Sequence, residues 1–153
     1  MDDQSELYWR YLKDNLDHSR HHESMRATMT NIVLSIAGVG FSVAGFDKCL
    51  SITDLPILIF IFLLGVFGAL FAAKQTERAS LHYQRARELR DAIDSGPHAP
   101  TFKVLKRAAD NKHNPKYPWL SSHDLRGFWI SLHILISILA IIVSIFAFNT
   151  ASC

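Results

Sequence analysis

Pro56-Ile-Leu-Ile-Phe-Ile-Phe-Leu-Leu-Gly-Val-Phe-Gly-Ala-Leu-Phe-Ala-Ala73 runs for 18 residues without an Asp, Glu, Lys or Arg. Two more stretches read the same way, Thr28–Phe46 with 19 residues and Phe128–Phe148 with 21. Together the three hold 58 of the 153 residues, and all 30 charged side chains fall in the other 95. A bilayer core about 30 Å thick is crossed by roughly 20 apolar residues in helix. Backbone polar groups in lipid must bond within their own segment, so each stretch should be helical. The sequence therefore predicts an all-α polytopic membrane protein with three transmembrane helices. The competing arrangement, a soluble three-helix core, would need three long helices apolar on every side in a small chain.

The whole-chain averages conceal this partition: 49% hydrophobic, 20% charged, net charge +2 and two cysteines. They exclude a disordered tail, a collagen-like repeat and a disulfide-rich secreted module. The start Met1-Asp2-Asp3 has no basic region and the first apolar run begins at residue 28, so no cleavable signal peptide is expected. No lipidation motif is expected either, since Cys153 ends the chain.

Lysine and arginine set the orientation. Arg10, Lys13, Arg20 and Arg26 precede span one, Lys48 alone lies between spans one and two, eleven lie in residues 74–127, and none follows span three. This alternation predicts three spans with the N-terminus and residues 74–127 in the cytoplasm and the C-terminus outside. Tyr117, Trp119 and Trp129 supply an aromatic belt at the inner end of span three. Cys49 and Cys153 fall on the outer side, either as two thiols or as a disulfide that a periplasm permits.

Asp3-x-x-Glu6 resembles a capping pair, and from there to Phe46 no proline intervenes. Tyr8, Leu12 and Leu16 recur one turn apart, so one helix is expected over residues 4–46. Asp54-Leu55-Pro56 opens a second helix that runs to Asp94, where Ser95-Gly96-Pro97 stops it. A short basic helix over Thr101–Asn111, a loop over Asn114–Leu120 and a cap at Ser121-x-x-Asp124 lead into span three. The organisation expected is thus a transmembrane hairpin with a cytosolic stalk (1–95), a linker with a short basic helix (96–121), and the third span with an outer tail (122–153). Two long helices leaving the same face of the membrane should pair as the stalk. Aligning Thr28 with Ala73 sets Glu23 opposite Arg78, Asp14 opposite Arg87, Lys13 opposite Glu88 and Arg10 opposite Asp91. Ala86, Leu89 and Ile93 would form its apolar seam.

Four constellations bear on function. Small residues recur at four-residue spacing in span one (Gly38/Ser42, Gly40/Ala44) and span two (Gly65/Ala69, Gly68/Ala72), and along one stripe of span three (Ser137, Ala140, Ser144, Ala147). Such rows let helix backbones approach closely in lipid. Two rows per helix exceed what packing in a monomer requires, which predicts a homo-oligomer. His18, His21 and His22 share the stalk with His82 beside Glu23, a cluster able to bind zinc, to titrate near neutral pH, or simply to hydrogen-bond in solvent. His133 is an ionisable group inside a span, either functional or held by a structural hydrogen bond. Arg85, Arg87, Arg90, Lys103, Lys106 and Arg107, with Lys112 and Lys116, form a basic surface for lipid headgroups first, and for a nucleotide or RNA second. Arg107-x5-His113 has the spacing of the Arg–His element of HEPN ribonucleases, but Ala108 stands where a polar residue usually follows. No phosphate loop, nucleophile–base pair or Cys/His metal motif is present, so neither an enzyme nor a cofactor is expected.

The layout resembles a family. Tyr8-Trp9-Arg10-Tyr11-Leu12 leads through His21-His22-Glu23 into a span. A short outer loop follows, then a Gly/Ala-rich span that continues as Glu77-Arg78-Ala79-Ser80-Leu81-His82-Tyr83-Gln84-Arg85-Ala86-Arg87. Over residues 5–95 this is similar to the SLATT-type two-span membrane effectors, bacterial proteins encoded beside nucleotide-signalling and phage-defence systems. The third span and the linker 96–127 are additions to that pattern. The resemblance implies an oligomeric pore or membrane-perturbing effector in anti-phage defence, acting by abortive infection. The alternative is a non-conducting scaffold or sensor that recruits a cytosolic partner. The expected partners are the bilayer, further copies of the chain, and a cytosolic protein or nucleotide-signalling component, not nucleic acid.

Overall fold

The computed structural model describes residues 3–46, 50–94, 104, 107–108, 110–111, 114–116 and 125–149. It is all-helical, with no strand among the described residues. Helix α1 (Asp3–Ala44) has 42 residues, α2 (Leu55–Asp94) has 40, and α3 (Leu125–Asn149) has 25. Each is long and apolar enough to cross a membrane. Only 28% of the most apolar 18-residue stretch of each helix is buried. Val39, Leu70, Leu135 and Phe148 are each more than 60% exposed. Apolar surface left in water costs roughly 25 cal/mol per Å², so these outward faces call for an apolar surrounding.

The helix ends have local causes. No proline interrupts α1, which stops at Ala44 and not at Phe46. The Gly45 N–H still bonds Phe41 O at 3.1 Å, but the Phe46 N–H turns to Val43 O at 3.2 Å, tightening the last turn out of α-helix. Before α2, the Ser51 N–H donates to the Asp54 carboxylate at 2.9 Å and the Asp54 N–H to Ser51 O at 3.0 Å. These bonds close a 3-10 turn at Ile52–Asp54, which packs against α3. Pro56 is then the second residue of α2, where its missing N–H has no intrahelical bond to lose. Of the basic helix expected over Thr101–Asn111, residues 104, 107, 108, 110 and 111 are described, and they are helical. Asn114–Lys116 forms a 3-10 turn. Cys49, Cys153, the Ser95-Gly96-Pro97 stop, His113, Tyr117, Trp119 and the Ser121/Asp124 cap lie outside the described residues.

The chain divides into two compact units, Met1–Glu23 with Glu77–Asp124, and Ser24–Thr76 with Leu125–Cys153. The division crosses α1 and α2 and does not follow chain order, so each long helix contributes one part to each unit.

In the first unit α1 and α2 pack antiparallel through small side chains. Leu12, Ser19, Ala79 and Ala86 are buried, and Ser19 Oγ donates to the Ala79 carbonyl at 3.1 Å. Leu89 and Ile93 are half-buried. The Thr28/Ala73 alignment puts residue 82 opposite residue 19, and the His82 ring does lie between His18 and His22, so the depth of the pairing agrees with it. The four cross-helix ion pairs of that alignment do not form. Arg10 pairs instead with Glu6, Asp14 with His18, Arg78 with Glu77 and Asp91 with Arg90, each within its own helix. The energetics favour this outcome. Exposed ion pairs contribute about 0–1 kcal/mol each, whereas a slip would unseat the buried alanines and leave the Ser19 hydroxyl without its acceptor.

The second unit has a close-packed core of Val33, Ala37, Ala44, Leu58, Ile61, Ile136, Ala140 and Ala147. Three glycines allow its helices to approach. A methyl group on Gly40 would lie 2.8 Å from Ile61 Cδ1. On Gly65 it would lie 3.0 Å from the His133 carbonyl oxygen and overlap Ser137 Oγ, and on Gly68 it would overlap the His133 ring.

Candidate functional site

The polar centre of the second unit is built on His133, which is 1% exposed. One ring edge faces α1, where Nε2 lies 3.2 Å from Thr30 Oγ1. Thr30, itself 1% exposed, donates its hydroxyl proton to the Arg26 carbonyl one turn earlier, at 2.9 Å. With that proton committed, the Thr30 oxygen can only accept, so His133 donates from Nε2. A neutral imidazole then carries no proton on Nδ1. That atom is buried without a partner and rests against Gly68 of α2. One turn further along α3, Ser137 Oγ donates to His133 O at 3.2 Å and reaches Phe62 O at 3.3 Å. His133 therefore touches all three helices, bonded through Nε2 alone.

Arg26 closes the charged end of this unit. Its Nη1 donates to Thr76 Oγ1 at 3.0 Å, and its guanidinium lies over the Trp129 ring, 5.4 Å from the centroid. Thr76 passes its own proton to Ala72 O at 2.7 Å. Arg26 Nε is buried with no acceptor. In the sequence Arg26 is an orientation charge, and Thr30 carries no signal of its own. Their one-turn spacing was visible, but their partners on α2 and α3 were not.

The small-residue rows have unequal fates. Gly40 and Ala44 face Ile61 and the core, and Gly65, Gly68 and Ala72 are buried with them, Ala69 being half-buried. Ser137, Ala140 and Ala147 of α3 are buried, while half-buried Ser144 bonds back to Ala140 O at 2.7 Å. Gly38 differs: a methyl group there would meet nothing within 4 Å. Ser42 Oγ turns back to Gly38 O at 2.8 Å, and Ser35, Gly38, Val39, Ser42, Val43 and Phe46 line an open groove on α1.

In the first unit three histidines form a stack. The His82 ring lies between His18 and His22, with centroids 5.0 and 5.5 Å away and interplanar angles of 26° and 20°. His82 Nδ1 is 3.1 Å from Asn15 Oδ1, and Asp14 is 3.6 Å from His18 Nε2. His21 is exposed and tilted against His22 at 6.0 Å, and Glu23 is exposed. Burial, and then the proximity of His18, His22, Arg85 and Arg78, pushes the His82 pKa below its ordinary value. Among the described residues no group of three or more His, Cys, Asp or Glu is placed to hold a metal.

The basic surface is less one-signed than its sequence. Arg85 and Arg87 are exposed, and Arg87 lies over the Tyr83 ring at 5.4 Å. Arg90 bonds Asp91 at 2.9 Å. Arg87, Arg90 and Arg107 line a cleft of about 440 Å³ together with Glu88, Asp91 and Asp110. Three cations and three carboxylates make it a charge-balanced cleft, unlike the uniformly positive surface a polyanion favours. Lys103 and Lys106 lie outside the described residues.

Comparison with protein-family models, with curated proteins and with solved structures gave no match to this chain.

Proposed function

We propose that this chain is a bacterial inner-membrane effector that assembles with copies of itself and perturbs the bilayer. In this reading the N-terminus and residues 74–127 are cytoplasmic, and the paired ends of α1 and α2 are the regulated part. The observation that carries it is the Gly38 groove. Among the described small-residue rows it alone has no neighbour in the monomer, and Val39, Val43 and Phe46 beside it are 65%, 58% and 88% exposed. Close helix approach at such a row drives association in lipid. The SLATT-type layout of residues 5–95 agrees with this role. The spans expose few polar atoms, so one monomer offers no conducting path of its own.

The test is membrane potential after induced expression. Wild type depolarises the cells, and Gly38→Leu, which the monomer has room for, reaches the membrane in equal amount but depolarises them far less. A wild type that leaves the potential unchanged, even with its neighbouring genes and under phage challenge, ends this reading. One observation favours a second reading, a scaffold that recruits a soluble protein: the charge-balanced cleft at Arg87, Arg90 and Arg107 suits a mixed-charge protein surface. A soluble protein that co-purifies with wild type and is lost with Arg107→Glu would support it.

A further inference from the structure

We infer that Arg26 is the headgroup site for a phospholipid of the inner leaflet, with the lipid phosphate as the anion that neutralises its guanidinium. The inference rests on the membrane reading above.

The sequence locates the side chain first. Arg26 is the last charged residue before the uncharged stretch that begins at Thr28, so it sits where a bilayer changes from hydrocarbon to headgroups. The groups that bond it or stack on it are neutral. Nη1 bonds a threonine hydroxyl that is itself a donor to Ala72 O, and the guanidinium face lies on Trp129. Nε is buried without an acceptor. Among the described residues no carboxylate pairs with it. Among the described residues of the second unit the one carboxylate is Asp54, in the 3-10 turn that precedes α2 and bonded to Ser51.

A half-buried guanidinium without a counter-ion is costly, since charges removed from water are normally paired. Bonds to neutral oxygens and an aromatic face hold the group in place but leave its charge whole. In a bilayer the anion available at this depth is the lipid phosphate. Basic residues between transmembrane helices on the cytoplasmic side are the usual means of holding one. Trp129 adds the aromatic partner expected at headgroup level. The geometry thus describes a cation held by α1, braced by α2 and α3, and presented to a phosphate from outside the chain.

Native mass spectrometry of the full-length protein, released from membranes in a mild detergent, tests this. The probes are phosphatidylglycerol, the phosphate-free glucosyl diacylglycerol, and inorganic phosphate. Wild type should retain phosphatidylglycerol in preference to the glucolipid. Arg26→Lys should keep most of that retention and Arg26→Gln should lose it about fivefold, the scale expected for one basic residue at a membrane surface. Trp129→Leu, which leaves the charge in place, should fall between them. Equal phospholipid occupancy in Arg26→Gln, or equal retention of the two lipids by wild type, overturns the inference. Displacement of the lipid by inorganic phosphate, with a phosphate adduct in its place, overturns the lipid source and assigns the site to a soluble phosphate. Should Arg26→Gln fail to fold, the wild-type preference between the two lipids decides alone. Extraction separates this result from the membrane reading: a chain that leaves the pellet without detergent refutes membrane insertion, whatever its lipid content.

Discussion

Gly68 and Thr30 between them decide what His133 is permitted to be. Thr30 fixes which ring nitrogen carries the proton, and Gly68 leaves room for the other. Gly68→Ala places a methyl group inside the imidazole and should destabilise the protein by about 1–3 kcal/mol, the usual range for overpacking. Gly38→Ala meets open space and should not destabilise, gaining up to about 1 kcal/mol from the better helix former. Thermal unfolding of the two variants in detergent compares them directly, and equal midpoints would show that the packing at Gly68 is not what it is described to be. Thr30→Val should leave the His133 Nε2–H without an acceptor, at a cost of about 1–3 kcal/mol, and Thr30→Ser should restore most of it. His133 stood out in the sequence because a titratable group among apolar neighbours is conspicuous. Its partner did not, because Thr30 is 103 positions away and only the folded helices bring the two together.

At the scale of the element, the two long helices were legible and the partners of their charges were not. Absence of proline and an uninterrupted apolar stretch set where α1 and α2 run, and both are local properties. Aligning Thr28 with Ala73 set the depth at which His18, His22 and His82 meet, but the charges themselves pair within their own helices. Within this pairing the histidine stack is the pH-dependent feature. The folded-state pKa of His82 lies below its ordinary 6.5. Between those two values the unfolded chain binds more protons, so stability rises with pH in that window. The pairing should be intact above about pH 6.5 and should loosen as pH falls below it. Asp14, Asn15, His18 and His22 of α1 and Arg78 and Arg85 of α2 surround the ring. Amide exchange over residues 79–89, corrected for intrinsic rates, should be faster at pH 5.5 than at pH 7.5. His82→Gln should remove most of that difference, and an unchanged pH response in the variant would assign the effect to other groups.

For the whole molecule, the sequence offered four small-residue rows in spans one and two, and the fold uses three of them internally. Counting rows therefore overstated the surface free for partners, because the sequence does not say that α3 lies against Gly65 and Gly68. One open row has a consequence for symmetry. A face that meets its own copy does so about a two-fold axis, and such a pair closes on itself, whereas a ring needs two different faces that fit each other. Ser35→Cys, placed beside Gly38, should therefore crosslink in membranes to a dimer and stop there. A ladder of higher species would mean that the row docks on a second, unlike surface. A closed pair encloses no central channel, so an effector built this way would disturb the bilayer at its rim, along the seam where two α1 helices meet the lipid.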